Sequence, residues 1–178
     1  MPAEMRELIL YVCCKCETAP AFGATKLNKV LFYSDFLAYA RLGESITGEP
    51  YQKLDHGPAP KQLVPLRTEM IDKRELVVRE KEYGVYTRKQ PFALRPANLS
   101  GFSGKQIALV DYVIKCLWEK TAKQVSEMSH RFIGWELAEL NEEIPYELSL
   151  VVAPEEYSDA ESQWLESLLP LVRERMAA

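Results

Sequence analysis

Only two histidines, His56 and His130, occur in 178 residues. No uninterrupted apolar run reaches the roughly 18 residues that cross a membrane. There is no G-x-S-x-G elbow and no G-x-x-x-x-G-K-[ST] loop. Gly101-Phe102-Ser103-Gly104-Lys105-Gln106 fails the phosphate-loop spacing and reads as a helix cap. These gaps argue against a hydrolase built on a Ser/His or Cys/His arrangement, against a nucleotide site and against a membrane partner. The first residues carry Glu4, Glu7 and Glu17 with no basic start, so they do not read as a signal peptide, and a cytoplasmic location is the expectation.

Cysteine is scarce too, at positions 13, 14, 16 and 116. Met5, Leu8, Ile9, Val12, Cys13 and Cys16 share one helical face, so Cys13 and Cys16 read as small core side chains and reduced thiols. A zinc site would want a second pair of ligands at suitable spacing. No metal and no cofactor is expected.

Hydrophobic residues make up 47% and charged residues 27%, which suits one globular domain, 1–178, large enough for a core. Net charge is −4, unevenly spread. Residues 61–95 hold nine Lys/Arg against five Asp/Glu, and residues 136–178 hold eleven acidic groups against two Arg. Either the two regions pack together, or each faces its own partner, or both are solvated faces.

Periodicity places helices at about 3–17 and 25–42, with Gly43 closing the second. Residues 44–58 form turns around a short extended piece near Tyr51–Asp55. A third helix spans about 59–73, in which Pro65 requires either a late start or a kink. Glu75–Tyr83 and Val85–Leu94 read as a hairpin. Beyond Leu99-Ser100-Gly101 the capping-box spacings Ser103/Gln106, Thr121/Gln124 and Ser158/Glu161 open further helices. The first buries Ile107, Val110, Ile114 and Leu117, the second turns Val125, Met128 and Phe132 inward, and the last carries Trp164, Leu165, Leu168 and Leu169. The fold expected is α+β and predominantly helical. A winged-helix-like half, 1–98 (helix, helix, short strand, helix, hairpin), precedes a helical half, 99–178.

The helix at 25–42 is apolar nearly all round. Leu27, Val30, Leu31 and Ala38 recur on one side, and Phe32, Phe36 and Tyr39 on another, yet Lys26, Lys29 and Asp35 interrupt it. Asp35 is either a buried tie to the Tyr51 segment or, with Lys26, part of a docking groove. His56 reads as part of the Gly57-Pro58 turn, since its neighbour Asp55 points away from it along an extended chain. His130 reads as a structural histidine near Trp135.

This pattern, KL-x-K-x-L-x-Y-x-D from Lys26, then Ile46-Thr47-Gly48 and Tyr51, Gly57-Pro58, and Ser129-His130 with Trp135 and Ile144, resembles the Panacea (SocA-like antitoxin) domain family over roughly residues 5–150. The resemblance implies an antitoxin that captures a partner toxin encoded nearby, or delivers it to a protease. It also implies tolerance of very different toxins. Lys26, Leu27, Tyr33, Asp35, Tyr51, Gly57, Pro58, His130 and Trp135 are the residues that carry it. The alternative is a DNA-binding regulator touching nucleic acid through Arg79, Lys81, Arg88 and Lys89 of the hairpin.

Overall fold

The computed structural model describes residues 2–83 and 86–151, so the expected helix beginning at Ser158 lies outside the described residues. The fold is α+β, about half helical, with small antiparallel sheets. Helix α1 (Pro2–Lys15) is followed by α2 (Ala24–Leu42), then the short strands β1 (Tyr51–Gln52) and β2 (Ala59–Pro60). Helix α3 (Leu63–Asp72) leads into the hairpin β3 (Leu76–Tyr83) and β4 (Tyr86–Ala93). Then come α4 (Gly104–Leu117), α5 (Ala122–His130), α6 (Ile133–Leu137), β5 (Glu143–Ile144) and a 3-10 turn at Tyr146–Leu150. Among the described residues no helix is long and apolar enough to cross a membrane.

Helix α2 is the axis of the molecule because both its apolar faces are covered. Leu27, Val30, Leu31 and Ala38 enter the main core with Leu8, Ile9 and Val12 of α1 and Val110, Val113 and Ile114 of α4. Phe32 and Phe36 enter a second, aromatic core with Tyr51 and Ile144, and Phe132 and Tyr146 pack against it. Within it Phe36 meets Tyr51 edge-on at 5.3 Å between ring centroids, a favoured aromatic geometry. Gly43 closes α2 with φ +82, donating its N–H to the Tyr39 carbonyl. Buried in the main core, the thiols of Cys13 and Cys16 have their pKa pushed up, that of Cys16 to about 11, as small apolar side chains would.

Several expectations shift. Ala59 and Pro60, read as helical, instead bridge back to β1 as a strand, so α3 starts late, at Leu63. Pro65 then sits in its first turn, where no backbone donor is needed. Helix α1 ends at Lys15 and β1 spans only Tyr51–Gln52. The elements come in the expected order, but β1 pairs with β2 and with β5 from the C-terminal half, while the hairpin forms a sheet of its own. Met128, expected inward on α5, is 37% exposed.

Charge ties the N-terminal elements together. Arg95 reaches Glu7 of α1 at 2.6 Å and Glu75 at the hairpin base at 2.9 Å. Arg6 bonds Glu75 and, at 2.7 Å, Glu69 of α3. The capping boxes at Ser103/Gln106 and Thr121/Gln124 both form. Removing one of them by Thr121→Ala is expected to cost about 1 kcal/mol. Thermal unfolding should then show a melting temperature lower by roughly 2–4 °C.

Candidate functional site

The polar exceptions on α2 organise the segment 45–60. Asp35 is completely buried. Its Oδ1 accepts from the backbone N–H groups of Ile46 (2.9 Å) and Thr47 (2.8 Å), and its Oδ2 from the hydroxyls of Thr47 (2.6 Å) and Tyr51 (2.8 Å). Burial pushes its pKa up to about 6, and the four donors oppose that rise. Of the two readings of Asp35, the geometry is that of the tie: every lone-pair direction is taken, and none faces a groove. The 45–51 segment is fastened again through Glu49, whose carboxylate accepts from Gln62 N–H at 2.8 Å and whose carbonyl accepts from the Tyr146 hydroxyl at 2.6 Å.

Six residues back along α2, Lys29 is also fully buried, and its Nζ donates to the Pro58 carbonyl at 3.0 Å. Burial lowers its pKa to about 7. Gly57 passes this point with φ +97, and a Cβ there would lie 2.1 Å from Ser129 Oγ and 2.4 Å from Lys29 Nζ. The position therefore requires glycine for both conformation and space. Next to it the His130 ring stacks on Trp135 at 4.0 Å. Burial, then the charge of Lys29, lowers the His130 pKa. Trp135 donates Nε1–H to the Leu54 carbonyl at 2.9 Å, and Lys53 Nζ lies over its ring at 4.5 Å.

The residues singled out in the sequence thus do not form one surface site. Asp35 and Tyr51 belong to one buried network, and Gly57, Pro58, His130 and Trp135 to a second, centred on Lys29. Lys26 sits apart near the start of α2, its ammonium donating to the carbonyls of Pro20 (2.9 Å) and Trp118, and its pKa lowered by burial. Leu27 is main core, and Tyr33 stands half-buried between the two cores. On the hairpin, Lys89 pairs with Glu80 at 3.3 Å and Arg79 lies over the Phe92 ring at 4.8 Å, while the Lys81 side chain is outside what the structure describes. Arg88 packs its stem near Gly23.

What this frame presents outward is a cleft of about 460 Å³ between α2, the β1–β2 turn and α3. Asn28, Asp55, His56, Lys61, Val64 and Arg67 line it. Val64 is 66% exposed. Asn28 Oδ1 and Arg67 Nε are buried atoms without a hydrogen-bond partner. Sequence reasoning missed Asn28, Arg67 as part of this cleft, and Lys29 as a tie. A lysine on a helix apolar all round was the signal for Lys29, whereas Asn28 and Arg67 carry none, because only folding brings α2 and α3 alongside the turn.

A second hollow, of about 500 Å³, lies where α2 and α5 begin, lined by Gly23, Lys26, Arg88, Lys89, Thr121 and Lys123. Among the described residues, no group of three His, Cys, Asp or Glu side chains is placed to hold a metal ion.

The family model for the SocA-like antitoxin, Panacea domain, matches residues 27–136, more than half of the chain. The chain belongs to that family. The match opens inside α2 and closes at the residue after Trp135, so it encloses both buried networks. No curated protein and no solved structure matches the chain.

Asp35→Ala is expected to leave four donors unsatisfied, at a cost of about 3 kcal/mol or more. The melting temperature should fall by roughly 6–12 °C, against no change for the exposed control Lys105→Ala. Lys29 gives a pH dependence. Its folded pKa, about 7, lies below its ordinary 10.5, so between these values the unfolded chain binds more protons and stability rises with pH. Urea unfolding should show wild type gaining on Lys29→Met as pH rises from about 7 toward 10, with a constant difference below that window.

Proposed function

We propose that this protein is an antitoxin that neutralises a toxin, encoded beside it, by direct protein–protein contact, through the cleft between α2, the β1–β2 turn and α3. The family match over residues 27–136 carries the reading. Support for the place comes from the buried ties: they fix the turn that forms one wall of the cleft, while Val64 offers an exposed apolar anchor beside Lys61 and Arg67. Delivery of the toxin to a protease is the other outcome the family allows, and it needs the same capture step.

A second reading, DNA binding by a winged-helix-like half, 1–98, is favoured by the order of the elements and by the cationic hollow at Gly23, Lys89 and Lys123. The pairing of Lys89 with Glu80 weakens it. A mobility shift with the promoter upstream of the gene separates the readings: no retardation at low salt removes DNA binding.

Capture is tested by co-expression with the neighbouring reading frame, which should be toxic alone and harmless beside this protein. Val64→Asp and Arg67→Glu should weaken toxin binding by at least about tenfold without lowering the melting temperature. A frame harmless alone, or still toxic in the presence of the protein, overturns the function. Unchanged affinity in both variants overturns only the place.

A further inference from the structure

At Gly57 the turn is wedged between Lys29 of α2 and Ser129 of α5. The next residue along α5, His130, carries a buried Nε2 with no hydrogen-bond partner among the described residues. A neutral imidazole tolerates this, because that nitrogen can rest as a bare lone pair. An imidazolium does not, since it carries an N–H at both ring nitrogens. A proton taken up at Nε2 would be a buried donor without an acceptor.

The charges that face the ring are divided. From α2 comes the ammonium of Lys29, from the turn comes His56, and α5 itself supplies the carboxylate of Glu127. Burial first, then Lys29 and His56, disfavour the charged ring. The Asp55 backbone and Glu127 favour it without cancelling them. The face of an indole attracts cations, yet Lys53 already lies over that of Trp135, with Nζ 4.5 Å from the ring centroid. The place suits the neutral ring.

What the neutral ring holds is one wall of the cleft. Stacked at 4.0 Å with 11° between planes, it fixes Trp135, whose Nε1–H donates to the Leu54 carbonyl at 2.9 Å. The same carbonyl accepts the Gly57 N–H at 2.9 Å and so closes the turn. Lys53, besides covering Trp135, donates to the Ala138 carbonyl at 2.9 Å. Leu54, Asp55, His56 and Gly57 line the cleft. Ring, indole and turn thus form one chain of contacts with a titratable group at its end. Glu127 lies three residues back on the same helix and is exposed, so a charged ring leaving the stack meets water and a counter-charge there. Because the released ring binds the proton more tightly than the stacked one, acid favours release.

We propose that His130 is a proton-operated latch on the 53–58 turn. Neutral, it clamps Trp135 and the cleft wall; charged, it leaves the stack toward Glu127 and frees them. The latch does not rest on the antitoxin reading, and its test needs no toxin.

The chain has three tryptophans, so in full-length Trp118→Phe/Trp164→Phe protein Trp135 alone reports. Between about pH 8 and 5 its emission should shift reversibly to longer wavelength, with a midpoint below the ordinary 6.5 of histidine. Across the same step the hydrogen-exchange protection of the Gly57 amide should fall about tenfold or more. His130→Gln should hold one emission and one level of protection throughout. Lys29→Met, which removes a repelling charge, should move the midpoint up, and Glu127→Gln on the exposed surface should move it down. Asp35 and Lys29 titrate in the same range, at about 6 and about 7. A step that survives in His130→Gln belongs to them and overturns the latch. Quenching without a shift, with Gly57 protection kept, overturns it too, because the charged ring then stays stacked. So does a flat profile, or a midpoint that ignores both neighbouring charges.

Discussion

A carboxylate placed at the centre of a buried helix has to be surrounded by donors, and the segment from Ile46 to Tyr51 supplies four of them to Asp35. Much of the structure depends on that closure. Once Thr47 and Tyr51 are drawn onto α2, Tyr51 fills the aromatic core, and its backbone becomes the middle strand between β2 and β5. Through β5 and the Trp135–Leu54 bond, the C-terminal helices are then set against the same segment. The arrangement joins residues distant in sequence through polar contacts, each of which would be costly if left half-made.

How far the fold could be read from the sequence follows the range of the forces involved. Helix α2, its glycine stop and the two capping boxes rest on contacts within a few residues, and all were legible. So was the burial of Cys13 and Cys16, which needs only helical spacing. The strand at Ala59–Pro60 was not legible, because a two-residue strand has no period and exists only through its pairing with Tyr51 and Gln52. The same holds for β5. Pro65 was read correctly as a constraint, but only the pairing at Ala59 and Pro60 fixes where the helix begins. For the site, Asp35 announced itself as a charge in an apolar face. Asn28 and Arg67 did not, since an exposed-looking polar residue becomes part of a cleft only after three elements meet.

The residues that make this chain recognisable are mostly inside it. Asp35, Tyr51, Gly57, Pro58 and Leu27 are buried, and Trp135 and His130 spend their rings on each other. They build a frame around α2, and the side chains at the lip of the cleft stand outside that frame. Frame and lip are thus carried by different residues, so the lip can change without disturbing the ties beneath it.

Gly57 shows how closely the frame is fitted. The space where a methyl group would begin is already held by a hydroxyl from α5 and an ammonium from α2. The hydrogen that stands where a Cβ would be therefore acts as a shim: its size sets how near two helices can stand with a turn of chain between them. Changing it would alter no chemistry at the surface, yet it would move α5 relative to α2 and carry with it the stacked rings of His130 and Trp135. One atom at a turn thereby governs the spacing of two helices.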